Sequence, residues 1–334
     1  MYRTHIIVSI SLSLLCACQP GYEQIRGVTM GTYYQVNYRH ERSCAITREA
    51  LEERLLAING VLSTYDADSE ISRFNRTDAN LEFQVSDELW RVTKAAEQVW
   101  LESKGAFDPT VGPLVELWGF GSQDRDAPPT TIQMQEVAQV IGMDKLTMSG
   151  HAFKKSVAGL MLDLSAIAKG FAVDELSLLL TRGACDHFMV DIGGEIRTAG
   201  DNPQGQDWRI GIESPDPAGS GISQLVIRLP ALSVATSGDY RNFTVVDGQR
   251  VDHVMDPRVV APADNTLVSA TVLHESAMWA DAYATAAMVL GVEQALSFAQ
   301  RIQVPMLLMS RADLGAQVEV NYNQRMHRYL LTDS

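Results

Sequence analysis

Asp281 and Thr285 stand four residues apart in Ala280-Asp281-Ala282-Tyr283-Ala284-Thr285-Ala286, where every other residue is small or apolar. The run is helix-compatible, so the spacing projects the carboxylate and the hydroxyl from one face. Oxygens buried in such a wall need partners, and a hard cation holding a phosphate satisfies both. A distant stretch, Leu162-Asp163-Leu164-Ser165-Ala166-Ile167-Ala168-Lys169-Gly170, reads as the other half of the same site. There Lys169, near the start of a helix where backbone N–H groups also favour phosphate, is either a fixed positive charge for that site or a solvated surface charge.

The elements that must position these residues follow from periodicity and caps. Helices are expected over Thr47 to Val61, from an N-cap at Ser86 to Gly105, over Ile132 to Ile141 and from about Ser165 to Arg182. Two more are expected near the C-terminus, at Ala277 to Leu290 and Val292 to Ile302. Strands are expected at Val28 to Tyr38, Leu160 to Leu164, His187 to Ile192, Trp208 to Glu213, Leu225 to Leu229, Leu232 to Thr236, Val268 to His274 and Val304 to Met309. Long helices between pairs and trios of strands indicate an α+β domain rather than strict βαβ alternation. Neither Gly-x-Gly-x-x-Gly nor Gly-x-x-x-x-Gly-Lys occurs, so phosphate is held without a Rossmann fingerprint or a P-loop. Residues 122–131 are the best candidate for an internal boundary, and residues 27–334 read as one compact unit with two lobes around a cleft.

The first residues indicate where the chemistry takes place. Arg3 and His5 precede an apolar run, Ile6 to Leu15, that is too short to span a bilayer and ends in Leu15-Cys16-Ala17-Cys18. This is a secretory signal with a bacterial lipobox, with cleavage after Ala17, lipidation of Cys18 and residues 18–26 as a tether. The alternative is an ordinary signal peptide cut at an A-x-A-like site. Gln19 rather than Asp follows Cys18, which favours the inner leaflet of the outer membrane over the plasma membrane. The formal net charge of −14 and the lack of a basic cluster argue against nucleic-acid binding, so membrane contact is expected through the lipid alone. Cys44 and Cys185 form no C-x-x-C motif; an oxidising compartment permits a bridge, but they are read as small core residues.

Further polar clusters interrupt apolar surroundings: Thr29-Met30-Gly31-Thr32, Ser63-Thr64-Tyr65-Asp66, Ser69 to Asn75, Phe107-Asp108-Pro109-Thr110 running on to Gly121, Val190 to Ile196, Ala235 to Tyr240 and His253-Val254-Met255-Asp256-Pro257-Arg258. This set, in this order, resembles the ApbE family of FAD:protein FMN transferases, over roughly Gly27 to Met309. The resemblance implies a T-fold-related domain of mixed and antiparallel sheets around a flavin nucleotide cleft. It also implies Mg2+-dependent transfer of FMN from FAD to a Thr or Ser hydroxyl of another protein, with release of AMP. By motif, Met30, Tyr65, Ala106, Phe107, Asp108, Asp163, Lys169 and Val254 fall at FAD-contacting positions. The metal positions fall on the Ala166 carbonyl, Asp281 and Thr285. Many relatives carry Ser, Thr or Gly where this chain has Ala166 and Ala168, a change to which a backbone ligand is indifferent.

The residues themselves suit that chemistry. One carboxylate, one hydroxyl and one carbonyl leave room for phosphate oxygens and water, which matches Mg2+ better than a calcium cage or a His/Cys zinc site. Tyr65 and Met30 can pack a flat ring system. His253 beside Asp256 is a candidate acceptor for the attacking hydroxyl's proton or else a structural turn histidine. Gly193-Gly194 is either a tight turn or a close backbone approach to the nucleotide. Trp118 and Phe120 are read as packing groups.

Three functions remain open on residues alone. One is an FMN transferase acting on an exported acceptor flavoprotein, such as a subunit of a sodium-pumping or electron-transfer complex. Another is a metal-dependent FAD pyrophosphatase giving FMN and AMP. The third, a non-catalytic periplasmic flavin-binding lipoprotein, has no need of the Asp281 and Thr285 pair.

Overall fold

The computed structural model describes residues 21–120, 128–215, 223–238, 243–246, 249–252, 254–312 and 316–331. Its centre is an eight-stranded sheet whose strands lie in chain order, other elements intervening between some neighbours: Tyr22–Thr29, Thr32–Arg39, Phe188–Ile192, Glu195–Ala199, Ser233–Gly238, Leu267–His274, Met306–Ser310 and Glu319–Tyr322. Every pairing is antiparallel. The architecture is the expected α+β class.

Both faces of this sheet are covered, and strand alternation divides the side chains between them. Ala235, Ala270, Val272, Met306 and Leu308 join the main core under the helices. Val234, Val268, Leu273, Leu307 and Met309 join a second core shared with strands Trp208–Glu213 and Ser223–Leu229. On the helical side lie Arg48–Leu62, Asp87–Glu102, Ser165–Arg182 and Ala277–Ile302. Thr47, Ser86 and Ser276 cap three of these by accepting first-turn amides. The helix Ala277–Ile302 is broken at Gly291 (φ 70°, ψ 173°), so the two helices expected there form as read. Among the described residues no helix is long and apolar enough to cross a membrane.

Several expectations are corrected. The single strand over Val28 to Tyr38 is a hairpin turning at Met30 (φ 48°) and Gly31 (φ 72°), and its first strand begins at Tyr22. Part of the expected tether is therefore sheet; its Glu23, Gln24 and Arg26 are exposed on an edge strand and read as polar linker. Leu160 to Leu164 is irregular and pairs with no strand. Asn75 takes the place of one, donating to the Leu162 carbonyl and accepting the Leu162 amide, both at 2.8 Å. Lys155, fully buried, donates to the carbonyls of Asn75 (2.8 Å) and Leu160 (3.3 Å) and ties the segment further. The two cysteines are not free core residues: Cys44 and Cys185 are disulfide-bonded with Cα atoms 4.5 Å apart. Residues 1–20, including Cys18, the loop residues 121–127 and His253 lie outside the described residues.

Candidate functional site

The site is built where two helices cross with almost no space between them. A Cβ on Gly170 would stand 2.2 Å from the Ala277 carbonyl oxygen, so only glycine permits the crossing. Each helix then supplies an acid to the other's backbone. Asp174 accepts the Ser276 hydroxyl (2.5 Å) and the amides of Ala277 (2.9 Å) and Met278 (3.1 Å), fixing the start of the second helix. One turn into that helix, Asp281 returns the contact, its Oδ2 accepting the Gly170 amide at 3.0 Å.

That bond brings the two sequence halves together. Asp281 of one stretch thus meets the first turns of the helix that carries Ala166 and Lys169 in the other. Asp281 is 2% exposed, in a wall formed by the buried Ala280, Ala282, Ala284 and Ala286. Thr285, one turn on, lies 3.3 Å through its hydroxyl from the Ser237 hydroxyl at the end of strand Ser233–Gly238.

Lys169 sits between two acids. Its Nζ is 3.2 Å from Glu195 Oε1 and 3.6 Å from Asp281 Oδ1, while its side chain keeps 29% exposure. Burial works against the ammonium, but Asp281 and Glu195 outweigh it and push its pKa up. Glu195 is 3% exposed, and burial pushes its carboxyl up, with Lys169 opposing the rise and Asp281 adding to it. Its Oε2 is buried with no hydrogen-bond partner. The Gly193–Gly194 turn (φ 63° and 103°) precedes it, with the Gly194 amide bonded to Asp191 Oδ1 at 2.9 Å and Gly193 pressed against Thr32. These glycines are thus a tight hairpin turn.

The remaining residues form an adjoining group and some outliers. Asp163 Oδ1 accepts the amide (2.9 Å) and hydroxyl (2.5 Å) of Ser165 and opens the helix Ser165–Arg182, which lacks a side-chain cap at Leu164. The Asp163 amide donates to the Pro109 carbonyl at 2.7 Å, joining it to the loop of buried Ala106, Phe107 and Asp108. Burial raises the Asp108 carboxyl, against bonds from the amide and hydroxyl of Thr110 (2.8 and 2.6 Å) and from the Met143 backbone. Met30, at its hairpin turn, and Val254 pack on the main core, as Trp118 and Phe120 pack around Leu114. Tyr65 stands apart after the helix Arg48–Leu62, 95% exposed.

The donor set suits a hard divalent cation with open positions. Asp281, the Thr285 hydroxyl and the Ala166 carbonyl are all oxygen donors. No group of three or more His, Cys, Asp or Glu side chains that could hold a metal ion occurs among the described residues. Sequence reasoning passed over Glu195, Asp174, Asn75, Lys155 and Ser237. Glu195, Asn75 and Ser237 lie inside the polar motifs quoted above, and a lone acid between Gly-Gly and a β-branched residue is the signal that marks Glu195.

Residues 30–308 match the model of the ApbE family. The chain is 40% identical over 319 residues to the FAD:protein FMN transferase of Vibrio cholerae, covering 94% of this chain and 95% of that protein. It is 38% identical over 322 residues to the FAD:protein FMN transferase of Haemophilus influenzae, covering 92% and 93%. Among solved structures, the flavin transferase ApbE from Vibrio cholerae matches with a TM-score of 0.85 at 37% identity, over 93% of this chain and 100% of that one. The apo form of the Pseudomonas stutzeri flavinyl transferase ApbE gives 0.84 at 32% identity, over 94% and 98%. With motif order, crossing helices and near full-length similarity in agreement, the chain belongs to the ApbE family.

Proposed function

We propose that this chain is a Mg2+-dependent FAD:protein FMN transferase that attaches FMN, through a phosphoester, to a Thr or Ser of an exported acceptor flavoprotein. The observation that carries this reading is the meeting of Asp281 with the Gly170 amide and the Lys169 ammonium, 111 and 112 residues away in sequence. The relatives' shared name as FAD:protein FMN transferases supports it.

In the reaction the acceptor hydroxyl oxygen bonds to the FMN-side phosphorus. The bond from that phosphorus to the bridging oxygen breaks, AMP leaves with that oxygen, and the hydroxyl proton passes to a base, for which His253 is the candidate. Asp281, Thr285 and the Ala166 carbonyl would hold Mg2+, which supplies Lewis-acid stabilisation of charge on the phosphate oxygens. Lys169 places a cation beside the same oxygens. Asp163, Met30, Tyr65, Val254 and the Ala106 to Asp108 loop orient FAD. The test is intact-mass measurement of a candidate acceptor incubated with this protein, FAD and Mg2+. A mass gain of one FMN less water supports transfer, whereas free FMN and AMP with an unmodified acceptor identify a pyrophosphatase and overturn it.

The reading places the enzyme on the periplasmic side of a bacterial membrane, tethered through lipidated Cys18, with the outer membrane's inner leaflet favoured. The Cys44–Cys185 disulfide fits an oxidising compartment. Labelled palmitate incorporated by the native protein but not by Cys18→Ala, with release of the variant from the membrane fraction, is the expected outcome.

A further inference from the structure

We infer that Glu195 is a positioning residue that draws the Lys169 ammonium off Asp281 so that a divalent cation can take that carboxylate. The inference rests on the proposed metal role of Asp281 and extends it to a residue outside the ligand set. Lys169 and a divalent cation compete for one carboxylate: the ammonium lies 3.6 Å from Asp281 Oδ1, and two cations cannot share a buried oxygen without mutual repulsion. The ammonium needs another anion within reach when the metal arrives, because a charge left unpaired at that depth is costly.

Glu195 meets each requirement. It is the nearer of the two acids to Lys169, at 3.2 Å, so the ammonium can leave Asp281 by a small rotation of its own side chain. Its Oε2 is buried without a partner and has free capacity for a second ammonium hydrogen. Among the described residues no other cation forms an ion pair with it; Arg197, two positions along the same strand, is held by Asp174 Oδ1 at 2.7 Å and by the Glu275 carbonyl at 2.5 Å. Its place is fixed by the Gly193–Gly194 turn and by the pairing of Glu195 with Ile192.

Binding of Mn2+, followed by the loss of its free electron paramagnetic resonance signal without FAD, tests the inference on the folded chain. Asp281→Ala is expected to abolish binding; retention there overturns the underlying metal assignment and not merely the role of Glu195. Glu195→Gln keeps the shape, loses the charge and is expected to weaken binding about ten- to a hundredfold, the range for outer partners of a metal ligand. Lys169→Met is expected to bind at least as tightly as the native protein, and adding it to Glu195→Gln restores binding. Unchanged binding in Glu195→Gln, weakened binding in Lys169→Met, or a double variant as weak as Glu195→Gln alone overturns the inference. The last of these outcomes marks Glu195 as a direct ligand.

Discussion

Gly170 and Ala277 touch backbone to backbone: a methyl group on Gly170 would lie 2.2 Å from the Ala277 carbonyl oxygen and 2.8 Å from the Met278 Cα. The contact is rigid on both sides, since neither helix can yield without disturbing the amides of Ala277 and Met278 that Asp174 holds. Gly170→Ala therefore separates the helices and lengthens the 3.0 Å bond from the Gly170 amide to Asp281. The expected cost is about 2–3 kcal/mol of stability, in the range for overpacking, together with loss of Mn2+ binding. Urea unfolding and the Mn2+ titration read the two effects separately, and an Ala variant that keeps both native values contradicts this account.

The disulfide closes a span of 141 residues that contains the helix carrying Lys169. Cross-linking so long a loop restricts the unfolded chain, an effect of about 5 kcal/mol by loop-entropy arithmetic. Cys44→Ser/Cys185→Ser is expected to fold with a lower urea midpoint, and reductant is expected to lower the midpoint of the native protein but not of the variant. An equal response of both to reductant contradicts the prediction.

Tyr34 and Tyr38 make the N-terminal hairpin pH-sensitive. Burial first, and then hydrogen bonds to Glu52 (2.9 Å) and Glu23 (2.6 Å), push each phenol up to about 12 from an ordinary 10. Between those values the unfolded chain has released protons that the native state still binds, so stability falls as pH rises. It is unaffected by these groups below about pH 9. Unfolding free energies measured from pH 8 to 11 are expected to be level and then decline, and Tyr34→Phe is expected to flatten the decline. A decline that Tyr34→Phe leaves untouched assigns the effect to other groups.

The helices were legible because their signals are local. Ser86 is a cap a few residues from what it caps, and the Asp281 and Thr285 spacing lies within one turn. Asp281 could also be matched to the Lys169 stretch, because a carboxylate among alanines has few ways to be satisfied. The partners of Glu195 and Asp174 were not legible, since each is made by tertiary contact across the sheet or between helices. The Cys44–Cys185 bond was missed for the same reason: spacing carries no sign that a chain returns to itself after 141 residues. The Leu160 to Leu164 segment misled differently. Its apolar pattern is that of a strand, but a side chain, not a neighbouring strand, bonds its backbone.

That side chain, Asn75, gives the last prediction. Its amide is complementary to the Leu162 backbone in both directions, and the segment it holds leads directly to Asp163. Asn75→Ala removes both bonds, leaving one donor and one acceptor in a part-buried place, for about 2–4 kcal/mol. Asn75→Asp keeps the acceptor for the Leu162 amide but sets a carboxylate against the Leu162 carbonyl, so it is expected to recover little of that loss. Because Asp163 stands at a proposed FAD-contacting position while Asp281 is held independently through Gly170, the activity change is expected mainly as a raised KM for FAD, with kcat closer to native. Steady-state flavin transfer at varied FAD checks the split. A fall in kcat at unchanged KM would instead connect Asn75 to the Asp281 centre, through the helix Ser165–Arg182.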